Sequence, residues 1–463
     1  MYEKIKDMAY RDFIAVIDLG TSRLIGMVGQ KDRATGVIRV LASDSEEAGG
    51  AIRRGIIFNI EETAAKIKRL VKKLEANLKG GKIAKVYVGV GGQSLHSIDY
   101  SVVKEMMEES VLTEDIKDML LEDCRTYQPK GWHVYGIVSP TYYVDGKLEQ
   151  NPVGVPFNKV EVHYKLIVGR PSIRRHIENS IERTGLELAG ILISPLALSD
   201  AVLGEDEKKL GCALIDFGAG VTSVTVLKGG KLEKLAVIPL GGNLITKDLT
   251  SLHLVESEAE RIKVDYGNAV ADLESDETIR VHSADGVGLS GIKLAEINYV
   301  IESRVKEILE NVYARLGSEE VLKGLGAGLV ITGGGSDMRN LMETMHKRLK
   351  MDIRWATLRQ DLQDDEAIPT PEYYVSIGLL SQGSINCAYV PPVVSQAPPK
   401  EESLFPVDEE EIRIAEEEKE KERQRKEAAK KAEKEKVEKP EKKKIRFGAN
   451  LFDKIGGLFD DVD

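Results

Sequence analysis

An aspartate one residue before the end of an apolar run, with glycine two positions further on, occurs twice in this chain. The first copy is FIAVIDLGTSRLIGMV, residues 13–28, and the second is CALIDFGAGVTSVTVL, residues 212–227, so that Asp18 and Asp216 stand 198 residues apart. Glycine at a tight turn lets backbone amides come close to a ligand, and a short turn offers several of them to phosphate oxygens. The aspartate cannot bind phosphate directly, but it can hold Mg²⁺ through water, the coordination magnesium prefers, and so belong to a phosphate site. Two such hairpins face to face would clasp a Mg-nucleotide phosphate chain. The candidate phosphate-binding residues are Asp18, Gly20, Thr21 and Ser22 in the first copy and Asp216, Gly218, Ala219, Gly220 and Thr222 in the second, with Asp18 and Asp216 on the metal. Taken alone, either stretch reads better as an ordinary hairpin with a strand-terminal aspartate.

A third stretch adds to the pair. LVITGGGSDMRNLMETMHKRL, residues 329–349, reads as a buried strand, a triple glycine and an amphipathic helix. Gly333, Gly334 and Gly335 would let a nucleoside lie flat against backbone, and the helix is expected to start at Ser336 or Asp337. No residue announces itself as a general base for water attack. Positioning and metal electrostatics would then carry any hydrolysis, which makes slow turnover the expectation and the nucleotide chiefly a conformational ligand.

The elements that must hold these tips follow from the flanking pattern. Each hairpin is followed by a third strand, VIRVLAS at 37–43 and KLAVIPLGGN at 234–243, and β-branched runs alternate with amphipathic helices up to about residue 390. That pattern predicts an α/β architecture. At 463 residues, two or more domains are expected. The net charge of -11 argues against nucleic acid as a partner. The start carries no signal-peptide pattern and no run of about eighteen apolar residues occurs anywhere, so a cytosolic protein is expected. Cys124, Cys212 and Cys387 lie far apart and outside any CxxC pair, which fits reduced thiols, and no histidine pair has zinc spacing. Residues 61–79 read as a solvated basic surface helix, and Trp132 and Trp355 as packing residues.

Beyond residue 390 the composition breaks. A proline-rich piece leads into a stretch of Glu, Lys, Arg and Ala, with i,i+4 pairs such as Glu417 with Lys421, and residues 391–446 read as a linker without an apolar stripe. Residues 447–463 change character again: Leu451, Phe452, Ile455, Leu458, Phe459 and Val462 share one helical face. These six suit a membrane surface, although Asp453, Asp460, Asp461 and Asp463 oppose anionic lipid and Gly456 and Gly457 weaken the helix. One copy should bind weakly, and arraying many copies would multiply the binding. Docking of this helix on a protein partner or on the chain's own body is the other reading.

In this order the three motifs resemble the two phosphate loops and the adenosine loop of the actin, Hsp70 and sugar-kinase superfamily, over about residues 13–390. The residues beyond a bare half-domain lie between KIAKVYVGVGG and NKVEVHYKLIVGR, and VYVGVGG, NPVG and ERTGLEL around them look like the bacterial FtsA family. VIPLGGNLITKDL, AERIKVDYG and IESRVKEILENV match that family's second half, and its members also end in a linker and an amphipathic membrane-targeting helix. The resemblance implies a duplicated actin-like ATPase fold of two RNase H-like halves, with an inserted small α+β subdomain. The halves would be 1–83 with 164–195, and 196–390, the latter holding a nucleotide-flanking subdomain near 245–320; the insert would be 84–163. It implies ATP and Mg²⁺ as ligands, adenosine contacts from Glu260 and Lys263, self-association into filaments, and tethering of FtsZ and other divisome proteins to the cytoplasmic face of the membrane at the septum. The stretch GAGVTS, with Ser223 where many relatives carry an acid, departs from the family's usual spelling. An Hsp70-like or PilM-like actin-fold ATPase without membrane tethering is the alternative.

Overall fold

The first Asp-x-Gly stretch folds as Ile14–Leu19 (β1) and Arg23–Lys31 (β2), antiparallel, with Asp18 opposite Ile25. Ile38–Glu47 (β3) adds to β2, and a two-residue pair follows, Ile52–Arg53 (β4) with Ile56–Ile57 (β5). On the other side of β1 lie Lys85–Val90 (β6) and then Glu187–Ile193 (β11), both parallel to it. The computed structural model describes residues 12–389 apart from 33, 79, 283–288 and 363–369, together with Lys421.

β1 and β6 are near-continuous apolar runs because this sheet is covered on both faces. One cover is Ile60–Asn77 (α1), started by the Asn59 side chain accepting from the Glu62 amide at 3.0 Å. It buries Ile67, Leu70, Val71 and Leu74, so the helix expected to be a solvated surface element is half core. Most of its charged residues face out, but Lys66 is buried beside Glu62 at 3.3 Å, and Glu75 is mostly covered and accepts from the Ile83 amide at 3.0 Å.

His96–Val111 (β7), Glu114–Thr126 (α2), His133–Val144 (β8), Lys147–Glu149 (β9) and Pro156–Gly169 (β10) form the next layer, in strand order β7-β10-β8-β9. It has its own apolar cluster, built from Leu112, Leu120, Cys124, Phe157 and Tyr164 among others. The expected insert boundaries at 84 and 163 differ from this layer. Lys85–Val90 pairs inside the first sheet, and β10 runs unbroken to Gly169, so the layer spans 96–169. Buried β-branched runs look alike whichever sheet they join.

The chain returns through Pro171–Glu182 (α3), β11, Ser194–Val202 (α4) and Glu205–Leu210 (α5). The second copy then repeats the first: Cys212–Phe217 (β12), Thr222–Lys228 (β13) and Lys231–Ile238 (β14) form an antiparallel meander. Between β14 and the next sheet strand lie Gly242–Leu249 (α6), Glu256–Tyr266 (α7), the hairpin Thr278–His282 (β15) with Leu289–Lys293 (β16), Leu294–Leu316 (α8) and Glu319–Lys323 (α9). Leu329–Thr332 (β17), then Leu341–Leu349 (α10), Ile353–Trp355 (β18) and Tyr374–Gln382 (α11) complete the body. β17 and β18 lie parallel beside β12. The orders β11-β6-β1-β2-β3 and β18-β17-β12-β13-β14 are the same topology twice, and β14 touches β7 at the pair Ala236 and His96.

The expected linker, apart from Lys421, and the expected amphipathic helix, with Leu451, Phe452, Ile455, Leu458, Phe459 and Val462, lie outside the described residues. Among the described residues no helix is long and apolar enough to cross a membrane. The three cysteines are free and buried. Trp132 and Trp355, expected to pack, are 37% and 45% exposed.

Candidate functional site

Because β1 and β12 occupy the same place in two copies of one topology, each delivers its aspartate to the carboxyl end of a strand with a parallel neighbour on one side and its own antiparallel hairpin partner on the other, the end of an α/β sheet where ligands bind. The two carboxyls come close enough to interact. Desolvation, with the charge of Asp18 adding in the same direction, pushes the Asp216 pKa up to about 6. Asp18 is likewise raised to about 6 by desolvation, partly offset by a hydrogen bond from Ser194. That bond runs from Ser194 Oγ to Asp18 Oδ1 at 2.9 Å, at the start of α4.

The hairpin tips touch. A Cβ added to Gly220 would lie 2.4 Å from Thr21 Oγ1 and 2.6 Å from its Cγ2, so only glycine lets the second turn pass the first. Thr21 Oγ1 also accepts from the Gly55 amide at 2.9 Å, between β4 and β5. Ser22 is exposed, and its carbonyl accepts from Ala48 at 2.8 Å. In the second turn the Gly218 amide donates to Val221 O at 3.0 Å, while the carbonyls of Gly218 and Ala219 accept from Gly242 and Asn243, at the start of α6, at 3.0 and 2.8 Å. The amides of Thr21, Ser22, Ala219 and Gly220 donate to no backbone acceptor among the described residues. Gly20 closes the first turn against Arg23.

Thr222 stands differently from its expected place among phosphate ligands. Its side chain is fully buried and its hydroxyl donates to Leu240 O at 2.9 Å, which ties β13 to the end of β14. The hydroxyl proton is spent inside the fold.

The triple glycine meets the second aspartate. Gly333 has φ +85, and a Cβ there would sit 2.3 Å from Asp216 Oδ1; Gly335 closes against Phe217, and Gly334 is open. Gly218, Gly242 and Gly335 line one cavity with Ile245 and Met338. No helix starts at Ser336 or Asp337: a 3-10 turn covers Gly334–Asp337, with Ser336 Oγ donating to Gly333 O at 2.6 Å, and α10 begins only at Leu341. Glu260 and Lys263 lie on α7, with Lys263 Nζ 2.6 Å from Glu260 Oε2. Lys263 also donates to Thr246 Oγ1 at 2.9 Å and to Gly242 O at 3.3 Å, and the Thr246 hydroxyl donates to Glu260. The two residues expected beside adenosine therefore connect, through Gly242, to the second phosphate turn.

A larger cavity, about 790 Å³, opens at the opposite end of β1 between Phe13, Lys31, Arg39 and Ser384, and no candidate residue lines it. Among the described residues no group of three or more His, Cys, Asp or Glu could hold a metal ion, so a cation between Asp18 and Asp216 would complete its shell with ligand oxygens and water. Sequence reasoning missed Ser194 and Gly55. Neither carries a local signal; only the strand order, which puts the residue after β11 beside the end of β1, could have pointed to Ser194.

The family model described as cell division protein FtsA matches residues 213–378. The chain is 37% identical over 399 residues to the cell division protein FtsA of Porphyromonas gingivalis, covering 84% of this chain and 83% of that one. It is 31% identical over 370 residues to that of Bacillus subtilis, covering 79% and 82%. Among solved structures, a chain of the PilM-PilN type IV pilus biogenesis complex superposes with a TM-score of 0.53 at 17% identity, covering 80% of this chain and 98% of that chain, a likeness of fold alone. The fold is the actin-like one, in two topologically equivalent halves.

Proposed function

The chain belongs to the FtsA family of cell-division proteins, and from that premise we propose that it is a nucleotide-dependent membrane adaptor. It binds ATP with Mg²⁺ between the two hairpins, self-assembles, and ties FtsZ filaments to the inner face of the cytoplasmic membrane at the division septum. The observation that supports the nucleotide part is the close approach of Thr21 to Gly220, beside which the Asp18 and Asp216 carboxyls interact.

Two carboxyls sharing a desolvated site repel when both ionise, so the site favours a divalent cation at neutral pH. The cation would neutralise phosphate charge, held by Asp18 and Asp216 through water. Backbone amides of Thr21, Ser22, Ala219 and Gly220 supply donors to phosphate, with Gly20 and Gly218 setting the turns. Thr222 takes no part, because its hydroxyl is bonded to Leu240 O. The nucleoside lies along Gly333, Gly334 and Gly335, next to Glu260 and Lys263. Turnover is slow, since positioning and charge are the means available.

The membrane part rests on the apolar face of Leu451, Phe452, Ile455, Leu458, Phe459 and Val462 and on the family's habit. Acids and two glycines on that segment make a single copy weak, so attachment follows assembly. The test is to pellet the full chain with liposomes, with and without Mg-ATP, beside a truncation ending at Lys444. Nucleotide-stimulated pelleting that the truncation abolishes is expected; no pelleting in any condition would sink the membrane assignment.

A further inference from the structure

The short β4–β5 hairpin has no place in the reading above, yet its tip touches the phosphate turn. We propose that it is a third element of the phosphate site, which aims the Thr21 hydroxyl and links that site to the 96–169 layer; the proposal rests on the nucleotide reading of the cleft.

A hydroxyl has one proton and two lone pairs. The Gly55 amide occupies a lone pair of Thr21 Oγ1 at 2.9 Å, and among the described residues that oxygen donates to nothing, so its proton is left for a ligand acceptor. Gly55 is held firmly. It has φ +68, and a Cβ there would lie 2.6 Å from Gly92 Cα, while one on Gly92 would lie 2.3 Å from Gly55 O. The hairpin closes at its base, where the Phe58 and Asn59 amides both donate to Ala51 O at 2.8 and 3.1 Å.

It is also tied to both connections of the 96–169 layer. Arg54 O accepts from the Gln93 amide at 2.9 Å, three residues before β7, and Ile57 O lies 3.0 Å from His176 Nδ1 on α3, the helix that follows β10. A phosphate oxygen that takes the Thr21 proton strengthens the Gly55 bond, since hydrogen bonds in a chain polarise one another. The hairpin then stiffens against the two segments by which that layer joins the body.

Hydrogen exchange of the 51–59 amides in the full chain, with and without Mg-ATP, tests this, beside titration with a fluorescent ATP analogue. In the unsubstituted protein, Mg-ATP should slow exchange of this stretch about tenfold. Thr21→Val, which keeps the volume and loses the hydroxyl, should bind about tenfold more weakly and show no slowing at saturation; Thr21→Ser should retain both. Gly92→Ala, which pushes the hairpin off Thr21 and leaves both phosphate turns intact, should also weaken binding severalfold. Bound nucleotide with unchanged 51–59 exchange, slowing preserved in Thr21→Val, or an unweakened Gly92→Ala would each overturn the proposal. Failure of the unsubstituted protein to bind the analogue would bring down the nucleotide reading itself, and the titration alone reveals that.

Discussion

The two Asp-x-Gly hairpins share a topology but not their supports. The first has, besides the Ala48 amide on Ser22 O, two side-chain supports: Ser194 donates to Asp18, and Thr21 accepts from Gly55. The second is braced by backbone, the amides of Gly242 and Asn243 holding the carbonyls of Gly218 and Ala219, while Asp216 has no hydrogen-bond donor among the described residues. A duplicated strand pattern thus fixes where two carboxyls go, and unrelated neighbours decide how comfortably each one ionises. The half whose carboxylate is less well supported should gain more from a cation.

The largest effect expected from this difference is on stability without ligand. Both carboxyls titrate near pH 6 in the fold, against 3.8 for the ordinary group. A raised carboxyl binds its proton more tightly in the fold, so its contribution is most favourable at low pH and is lost as pH rises from about 4 to 6. Above pH 6 each ionised group should then disfavour the fold by on the order of 3 kcal/mol. Urea unfolding at pH 7.5 should find Asp216→Asn more stable than the parent, and by a wider margin than Asp18→Asn, with both margins shrinking towards pH 4. Equal margins would erase the asymmetry drawn between the halves. Mg-nucleotide binding should run the other way, strengthening from pH 5 to 7.5 and falling sharply in either variant.

Next in size is the contact between the tips. Gly220→Ala puts a methyl into Thr21 and should part the hairpins, lowering Mg-nucleotide affinity by roughly 2 kcal/mol. Adding Thr21→Ser removes the crowded Cγ2 and should restore part of the loss; strict additivity in that double-mutant cycle would mean that the tips do not meet.

A smaller effect is expected from Ser194→Ala, which takes the hydroxyl from Asp18 and makes the first carboxyl resemble the second. Affinity for Mg-nucleotide at pH 7 should drop by about 1.5 kcal/mol, and the pH midpoint for binding should rise. An unmoved midpoint would show that Ser194 does not act through Asp18.

How much of this was legible in the residues divides along the same line. The two hairpins and the glycines after β17 are local patterns that stand in the sequence. Ser194 is 176 positions from the aspartate it supports and Gly55 is 34 from Thr21, so only assembled strand order brings them together. The insert boundaries slipped for a related reason: β6 and β10 are buried runs whose sheet is chosen by neighbours far along the chain. Helix α1 looked solvated because its lysines hide an apolar stripe spaced for one face, Ile67, Leu70, Val71 and Leu74.

Thr222 gives the finest test of the comparison, because it falls in the second turn, where polar spelling suggested a phosphate ligand. Its counterpart work in the first hairpin is done by Thr21, whose hydroxyl keeps its proton; that of Thr222 is given to Leu240 O at 2.9 Å in a fully buried setting. Thr222→Val keeps the shape and leaves one carbonyl without its donor, so unfolding should become easier by about 1 kcal/mol. Mg-nucleotide affinity should stay within twofold, whereas Thr21→Val lowers it. A Thr222→Val variant that folds normally but binds nucleotide poorly would return this residue to the site and make the two turns chemically alike.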